Sequence, residues 1–135
     1  MRSAGLSRSR PSLILDSGAL IAVERGNHRA DVLIGHTMQA RGNVAIPAGV
    51  VAQVWRHGRR QVVLTRLLNH PLVKIVPLDD LTARAAGVLC GIAQTSDIVD
   101  ASVVLCAQER GNALIATSDA ADIAKLDPNA RIVAL

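Results

Sequence analysis

Five aspartates stand where an apolar run ends or a helical pattern begins: Asp16, Asp97, Asp100, Asp119 and Asp122. They fall in three segments: Leu13-Ile14-Leu15-Asp16, Thr95-Ser96-Asp97-Ile98-Val99-Asp100, and Leu114-Ile115-Ala116-Thr117-Ser118-Asp119-Ala120-Ala121-Asp122. In an open α/β sheet, the carboxyl ends of strands and the starts of the following helices share one crevice, where ligands bind. Carboxylates gathered there repel one another unless a divalent cation neutralises them. An all-oxygen donor set suits Mg2+ or Mn2+. Such a cation beside a phosphate points to phosphoryl chemistry, most simply phosphodiester hydrolysis.

The five do not weigh equally. Asp16 ends a strand that reads as fully buried, where a carboxylate needs partners or a metal. It also fits the cap of a helix starting at Ser17. Asp97 and Asp100 are three apart on one predicted helix and share its face. Asp97 suits an ordinary first-turn position near the positive end of the helix dipole. Asp100 is followed by Ala101, Val103, Val104, Leu105 and Ala107, a buried pattern, so its carboxylate at the helix rim points toward the crevice. Asp119 follows an apolar strand and opens a helix, and Asp122, one turn on, reads as solvated or supporting. Thr-Ser-Asp-x-x-Asp occurs at 95–100 and again at 117–122, and both copies read as helix starts capped by Thr or Ser.

The elements that must position these groups follow from the apolar pattern. The chain of 135 residues fits one domain with a real core. Half of it is apolar, yet Trp55 is the lone aromatic, so Val, Leu, Ile and Ala must fill the interior. That composition suits a parallel sheet buried on both faces, and argues against modules that stack bases on aromatic platforms. Strands are predicted at 12–15, 44–46, 73–76, 113–116 and 131–134. Helices are predicted at 17–25, 29–41, 48–57, 60–69, 81–93, 97–110 and 120–126. Gly26, Gly42, Gly58 and Gly111 serve as stops, and Pro47 suits a first turn. Strands alternating with helices, without hairpin signals, predict a three-layer α/β sheet with parallel strands.

The formal net charge is +4, carried almost wholly by arginine, since Lys74 and Lys125 are the only lysines. Arginine forks match phosphate geometry, although a GC-rich coding sequence also favours arginine. His28, His36, His57 and His70 lie in polar surroundings, show no pattern of a His-based ribonuclease and read as surface residues. Cys90 and Cys106 lie in apolar helical patterns and read as small core residues. No Cys/His cluster has zinc spacing. Residues 1–11 read as a basic, disordered leader and residues 12–135 as the single domain. No stretch is long and apolar enough to span a membrane, and a reduced cytoplasmic setting is expected.

The motifs Leu13-Ile14-Leu15-Asp16-Ser17-Gly18-Ala19-Leu20-Ile21-Ala22, Ile46-Pro47-Ala48-Gly49-Val50-Val51, Asp97-Ile98-Val99-Asp100-Ala101 and Leu114-Ile115-Ala116-Thr117-Ser118-Asp119 together resemble a PIN-domain ribonuclease of the VapC toxin kind. The likeness runs from Ser12 to Leu135. It implies a PIN-like three-layer α/β/α sandwich with a central, mainly parallel sheet of about five strands, and Mg2+- or Mn2+-dependent endoribonuclease activity. By that resemblance Asp16, Asp100 and Asp119 are the catalytic acids. These three and Asp97 hold the metal. The resemblance also implies a homodimer restrained by a small VapB-type antitoxin. One departure is visible: Gln53 stands where the pattern usually has Glu, and Glu24, ending the first helix, is a possible substitute. Arg56, His57, Arg59 and Arg60 form a basic cluster at a predicted helix junction, suited to an RNA backbone.

Competing readings are a degenerate PIN domain that binds a partner or RNA without cutting, and an RNA-processing nuclease outside toxin–antitoxin pairs. A phospho-acceptor receiver domain lacks its mid-chain strand-end Asp and late Lys. Neither nucleotide-binding glycine signature is present.

Overall fold

The computed structural model describes residues 12–135, and the basic leader predicted for 1–11 lies outside the described residues. Five strands form one parallel sheet: β1 (Ser12–Leu15), β2 (Asn43–Pro47), β3 (Val73–Val76), β4 (Leu114–Thr117) and β5 (Ile132–Ala134). Their order is β3-β2-β1-β4-β5, so β1 is central and the chain winds outward from it in both directions. Seven helices join them: α1 (Ser17–Glu24), α2 (His28–Gln39), α3 (Ala48–Val54), α4 (Val62–Leu68), α5 (Asp80–Ala93), α6 (Ile98–Glu109) and α7 (Ala120–Leu126). The predicted parallel α/β sheet is the observed one.

The aliphatic composition has its physical reason here. β1, β2 and β4 are covered on both faces, and Leu13, Ile14, Leu15, Val44, Ile46 and Ile115 are almost wholly shielded from solvent. Helices α1, α2 and α4 pack together in one layer, and α5, α6 and α7 in the other. α6 contacts β1, β2 and β4, which explains why Ala101, Val103, Val104 and Ala107 are buried. α5 packs chiefly on α6 and α7, and its outer stripe is exposed: Leu81 at 80%, Val88 at 65% and Ile92 at 77%. Cys90 and Cys106 are buried free thiols, as the apolar patterns predict. Among the described residues no single helix is long and apolar enough to cross a membrane.

Two boundaries differ from expectation for identifiable reasons. The helix predicted at 48–57 stops at Val54, and Trp55 is extended (ψ 128). The side chain of Gln61 holds the turn: its Oε1 accepts from the backbone N–H of Arg56 (2.8 Å) and His57 (2.9 Å), and its Nε2 donates to the Val54 carbonyl (3.0 Å). The basic cluster therefore sits on a loop. Trp55 folds over this loop, and a Cβ on Gly58 would meet the indole at 3.0 Å. At the end of α2 the left-handed residue is Arg41 (φ 57), not the expected Gly42. Gly42 instead donates its N–H to the Thr37 carbonyl at 2.8 Å.

Candidate active site

The switch in winding direction lies between β1 and β4, and parallel pairing sets Leu15 beside Ala116. The next residue along each strand is then Asp16 and Thr117, at the carboxyl edge where open α/β sheets bind ligands. Asp16 is 4% exposed and Thr117 fully buried. One Asp16 oxygen accepts from the Ala19 N–H at 2.9 Å, so Asp16 does cap α1. Burial pushes the Asp16 pKa up, while hydrogen bonds from Thr117, Ala19 and Gly18 oppose that shift. The Thr117 hydroxyl also accepts from the Asp119 N–H at 2.8 Å, so one side chain links two of the acids. A threonine closing an apolar strand looks like ordinary strand composition, and only the register reveals its role.

Gly18 lets the first turn of α1 come close to the turn after β4. A Cβ there would run into the Ser118 hydroxyl and lie 2.9 Å from Ser118 Cβ and 3.2 Å from its backbone nitrogen. The Asp-Ser-Gly order thus has a steric basis: a carboxylate at the strand end, then a residue without a side chain where two site segments touch.

Asp97 and Asp100 do not share a helix face as expected. Asp97 lies just outside α6 and caps it, its Oδ1 accepting from the Asp100 N–H at 3.0 Å. In the repeated Thr-Ser-Asp-x-x-Asp motif the caps are therefore aspartates. Thr95 and Thr117 instead accept from the N–H of Asp97 (3.3 Å) and Asp119 (2.8 Å). The two copies then diverge, because Asp119 occupies the cap of α7 without making a side-chain cap bond. Its carboxyl meets Asp122 instead.

Electrostatics ties the segments together. Asp100, half-buried at the start of α6, has its pKa pushed up to about 7 by burial, by the hydrogen bond and charge of Asp97, and then by Asp16 and Asp122. Asp119, exposed, is raised by the charge and hydrogen bond of Asp122, with smaller contributions from Asp16 and Asp97. Five carboxylates from three separate segments therefore share one field. Among the described residues the ion pairs are Arg84–Asp80 and Arg110–Glu109, and none involves these five. An uncompensated, all-oxygen set is the chemistry a hard divalent cation fits. As the side chains stand, no three acidic, imidazole or thiol groups among the described residues surround a common point.

The PIN domain profile matches residues 13–127. The chain belongs to the PIN-domain family. Members of that family are generally nucleases. No curated protein matches the chain. Among solved structures, VapBC2 from Rickettsia felis bound to a fragment of its promoter DNA aligns over 92% of this chain and 98% of that one, with TM-score 0.71 and 14% identity. FitAB bound to an IR36 DNA fragment aligns over 90% and 94%, with TM-score 0.64 and 17% identity. FitAcB from Neisseria gonorrhoeae aligns over 89% and 95%, with TM-score 0.63 and 19% identity. At these identities the likeness is one of fold.

Against the PIN frame, two polar side chains are placed unequally. Gln53, exposed on α3, accepts a hydrogen bond from the hydroxyl of Ser17, the residue after Asp16. Glu24 points elsewhere: it accepts from Gln61 Nε2 at 3.1 Å and is absent from the charges that perturb Asp16, Asp100 or Asp119. All four histidines are exposed. Arg56 is folded back onto the Ala52 and Trp55 carbonyls, at 3.3 and 2.7 Å. Arg59 and Arg60 are exposed on the loop.

Proposed function

We propose that this PIN domain is a Mg2+- or Mn2+-dependent endoribonuclease, the toxin of a type II toxin–antitoxin pair. The observation that carries the reading is the field of five carboxylates, with no ion-pair partner among the described residues, at the β1/β4 switch point. Asp16, Asp97, Asp100 and Asp119 would hold the cation, and Asp16, Asp100 and Asp119 would form the catalytic set. Glu24, tied to Gln61, is outside this assignment. When bound, the cation lowers the pKa of a water molecule and stabilises charge on the scissile phosphate. Asp16, buried and hydrogen-bonded on several sides, supplies a carboxylate of fixed position. Asp100 keeps a proton to about pH 7 when no cation neutralises its neighbours, so cation uptake releases that proton and is stronger in alkaline buffer.

The remaining parts of the reading follow the VapC resemblance. A VapB-type antitoxin would lie across the acidic cleft, in a cytoplasmic setting, in keeping with fold neighbours solved as VapBC2 and FitAB. The apolar stripe Leu81, Val88 and Ile92 on α5 supports pairing into a homodimer. RNA would run past Arg56, Arg59 and Arg60. Replacing Arg59 and Arg60 together by Gln is expected to make the salt dependence of RNA binding shallower by about 1 to 1.5 in log–log slope, since each phosphate contact on a single strand contributes about 0.7. An unchanged slope in a filter-binding titration removes that loop from the RNA path.

The deciding experiment is incubation of total RNA with purified, antitoxin-free protein in Mg2+ or Mn2+, with and without EDTA. Discrete fragments that vanish with EDTA are the expected result. One observation favours a second reading, a PIN domain that binds without cutting: Gln53 brings no charge to the site. Cation binding with intact RNA would establish that alternative.

A further inference from the structure

Resting on the ribonuclease reading, we propose that Gln53 contacts the RNA and not the cation: its amide N–H2 donates to a non-bridging phosphate oxygen of the strand in the cleft. The Ser17 hydroxyl donates to Gln53 Oε1, which engages the acceptor end of the amide. The donor end is left over. Among the hydrogen bonds of the described residues, none involves Gln53 Nε2. Gln53 is exposed and, with Thr95, Ser96, Asp97, Ile98 and Val99, lines an open cleft of about 620 Å3, to which Asp97 brings one of the five carboxylates.

Chemistry makes that leftover donor useful. An ionised aspartate such as Asp97 only accepts hydrogen bonds, so a phosphate entering this cleft relies on the Gln53 amide together with the Thr95 and Ser96 hydroxyls for donors. A neutral amide donates to the phosphate without adding to the negative field. A glutamate at the same point would add a cation ligand but confront the phosphate with a sixth carboxylate. The departure from the usual Glu thus exchanges cation affinity for an RNA contact. Ser17 is the positioning residue that holds the amide next to Asp16.

The test separates the two bindings. Mn2+ affinity is read by calorimetry. RNA affinity is read by anisotropy with a randomised RNA at saturating Mn2+, within the time over which a gel shows the strand intact. Gln53→Ala is expected to leave Mn2+ affinity within about twofold and to weaken RNA binding about ten- to a hundredfold, the range of one hydrogen bond to a charged group. Gln53→Glu is expected to tighten Mn2+ binding and to weaken RNA binding at least as much. Ser17→Ala should weaken RNA binding, and the Ser17→Ala/Gln53→Ala double variant should be no worse than Gln53→Ala alone, because both act through one contact. A tenfold loss of Mn2+ affinity in Gln53→Ala overturns the proposal by making Gln53 a ligand. Unchanged RNA affinity in Gln53→Ala also overturns it, and additive losses in the double variant remove Ser17 from its positioning role. Failure of the wild-type protein to bind either Mn2+ or RNA overturns the ribonuclease reading itself, and this assignment with it.

Discussion

Asp100→Asn is expected to abolish cation-dependent RNA cleavage and, at the same time, to make the cation-free protein more stable at alkaline pH. The loss of activity should reach about 100- to 1000-fold, the scale on which removing one preorganised electrostatic group lowers turnover. The gain in stability follows from the raised pKa. Folded Asp100 titrates near 7 against a reference of 3.8, so the folded protein holds a proton that the unfolded chain has already lost. Its contribution to stability is complete below about pH 4 and is lost as pH rises through 7. A shift of about three units corresponds to roughly 4 kcal/mol. The group is half-open to solvent, and screening reduces that to about 1–2 kcal/mol. Asparagine cannot ionise and escapes the loss. The check is the melting temperature of both proteins in EDTA between pH 5 and pH 8: the wild-type curve should fall relative to the variant, and Mn2+ should restore only the wild type. Parallel pH curves, or full cleavage by the variant, would remove Asp100 from the centre.

Gly18→Ala should destabilise the fold by about 1–3 kcal/mol, the usual range for overpacking a close contact. Rotation of the exposed Ser118 side chain relieves the clash with its hydroxyl, but not the contacts with its Cβ at 2.9 Å and its backbone nitrogen at 3.2 Å. The turn carrying Asp119 must therefore move away from Asp16. A displacement on the ångström scale at a reacting centre lowers turnover by about 10- to 100-fold, so activity should fall further than residual folded protein accounts for. Ser118→Gly removes both the hydroxyl and the Cβ. Urea denaturation should then show the double variant recovering much of the stability lost in Gly18→Ala. If Ser118→Gly brings no recovery, the contact is not the cause.

Much of this is legible in the sequence. A strand buried on both faces reads as an unbroken aliphatic run, so a carboxylate at its end, such as Asp16, stands out. A helix buried for three turns announces itself by small and branched residues, which is why Asp100 could be placed at its rim. What stayed hidden were choices among chemically similar groups. Thr, Ser and Asp all cap helices, and local sequence cannot tell that Asp97 takes that role while Thr95 accepts from Asp97's own N–H. The stop at Val54 was equally hidden, because the residues after it tolerate helix and the turn is held by Gln61 from beyond it. The bond from Ser17 to Gln53 joins residues 36 positions apart and has no trace in composition or periodicity.

The position of Trp55 has a practical consequence. As the only aromatic residue, it dominates the ultraviolet fluorescence of the chain, and it lies 38% exposed over Gly58 at the edge of the arginine loop, away from the aliphatic interior. Its emission is therefore a local reporter. A wavelength shift on adding RNA or a protein partner reads occupancy of that loop directly, without an attached dye. The same signal is a poor gauge of global unfolding, for which circular dichroism of the seven helices is the suitable probe.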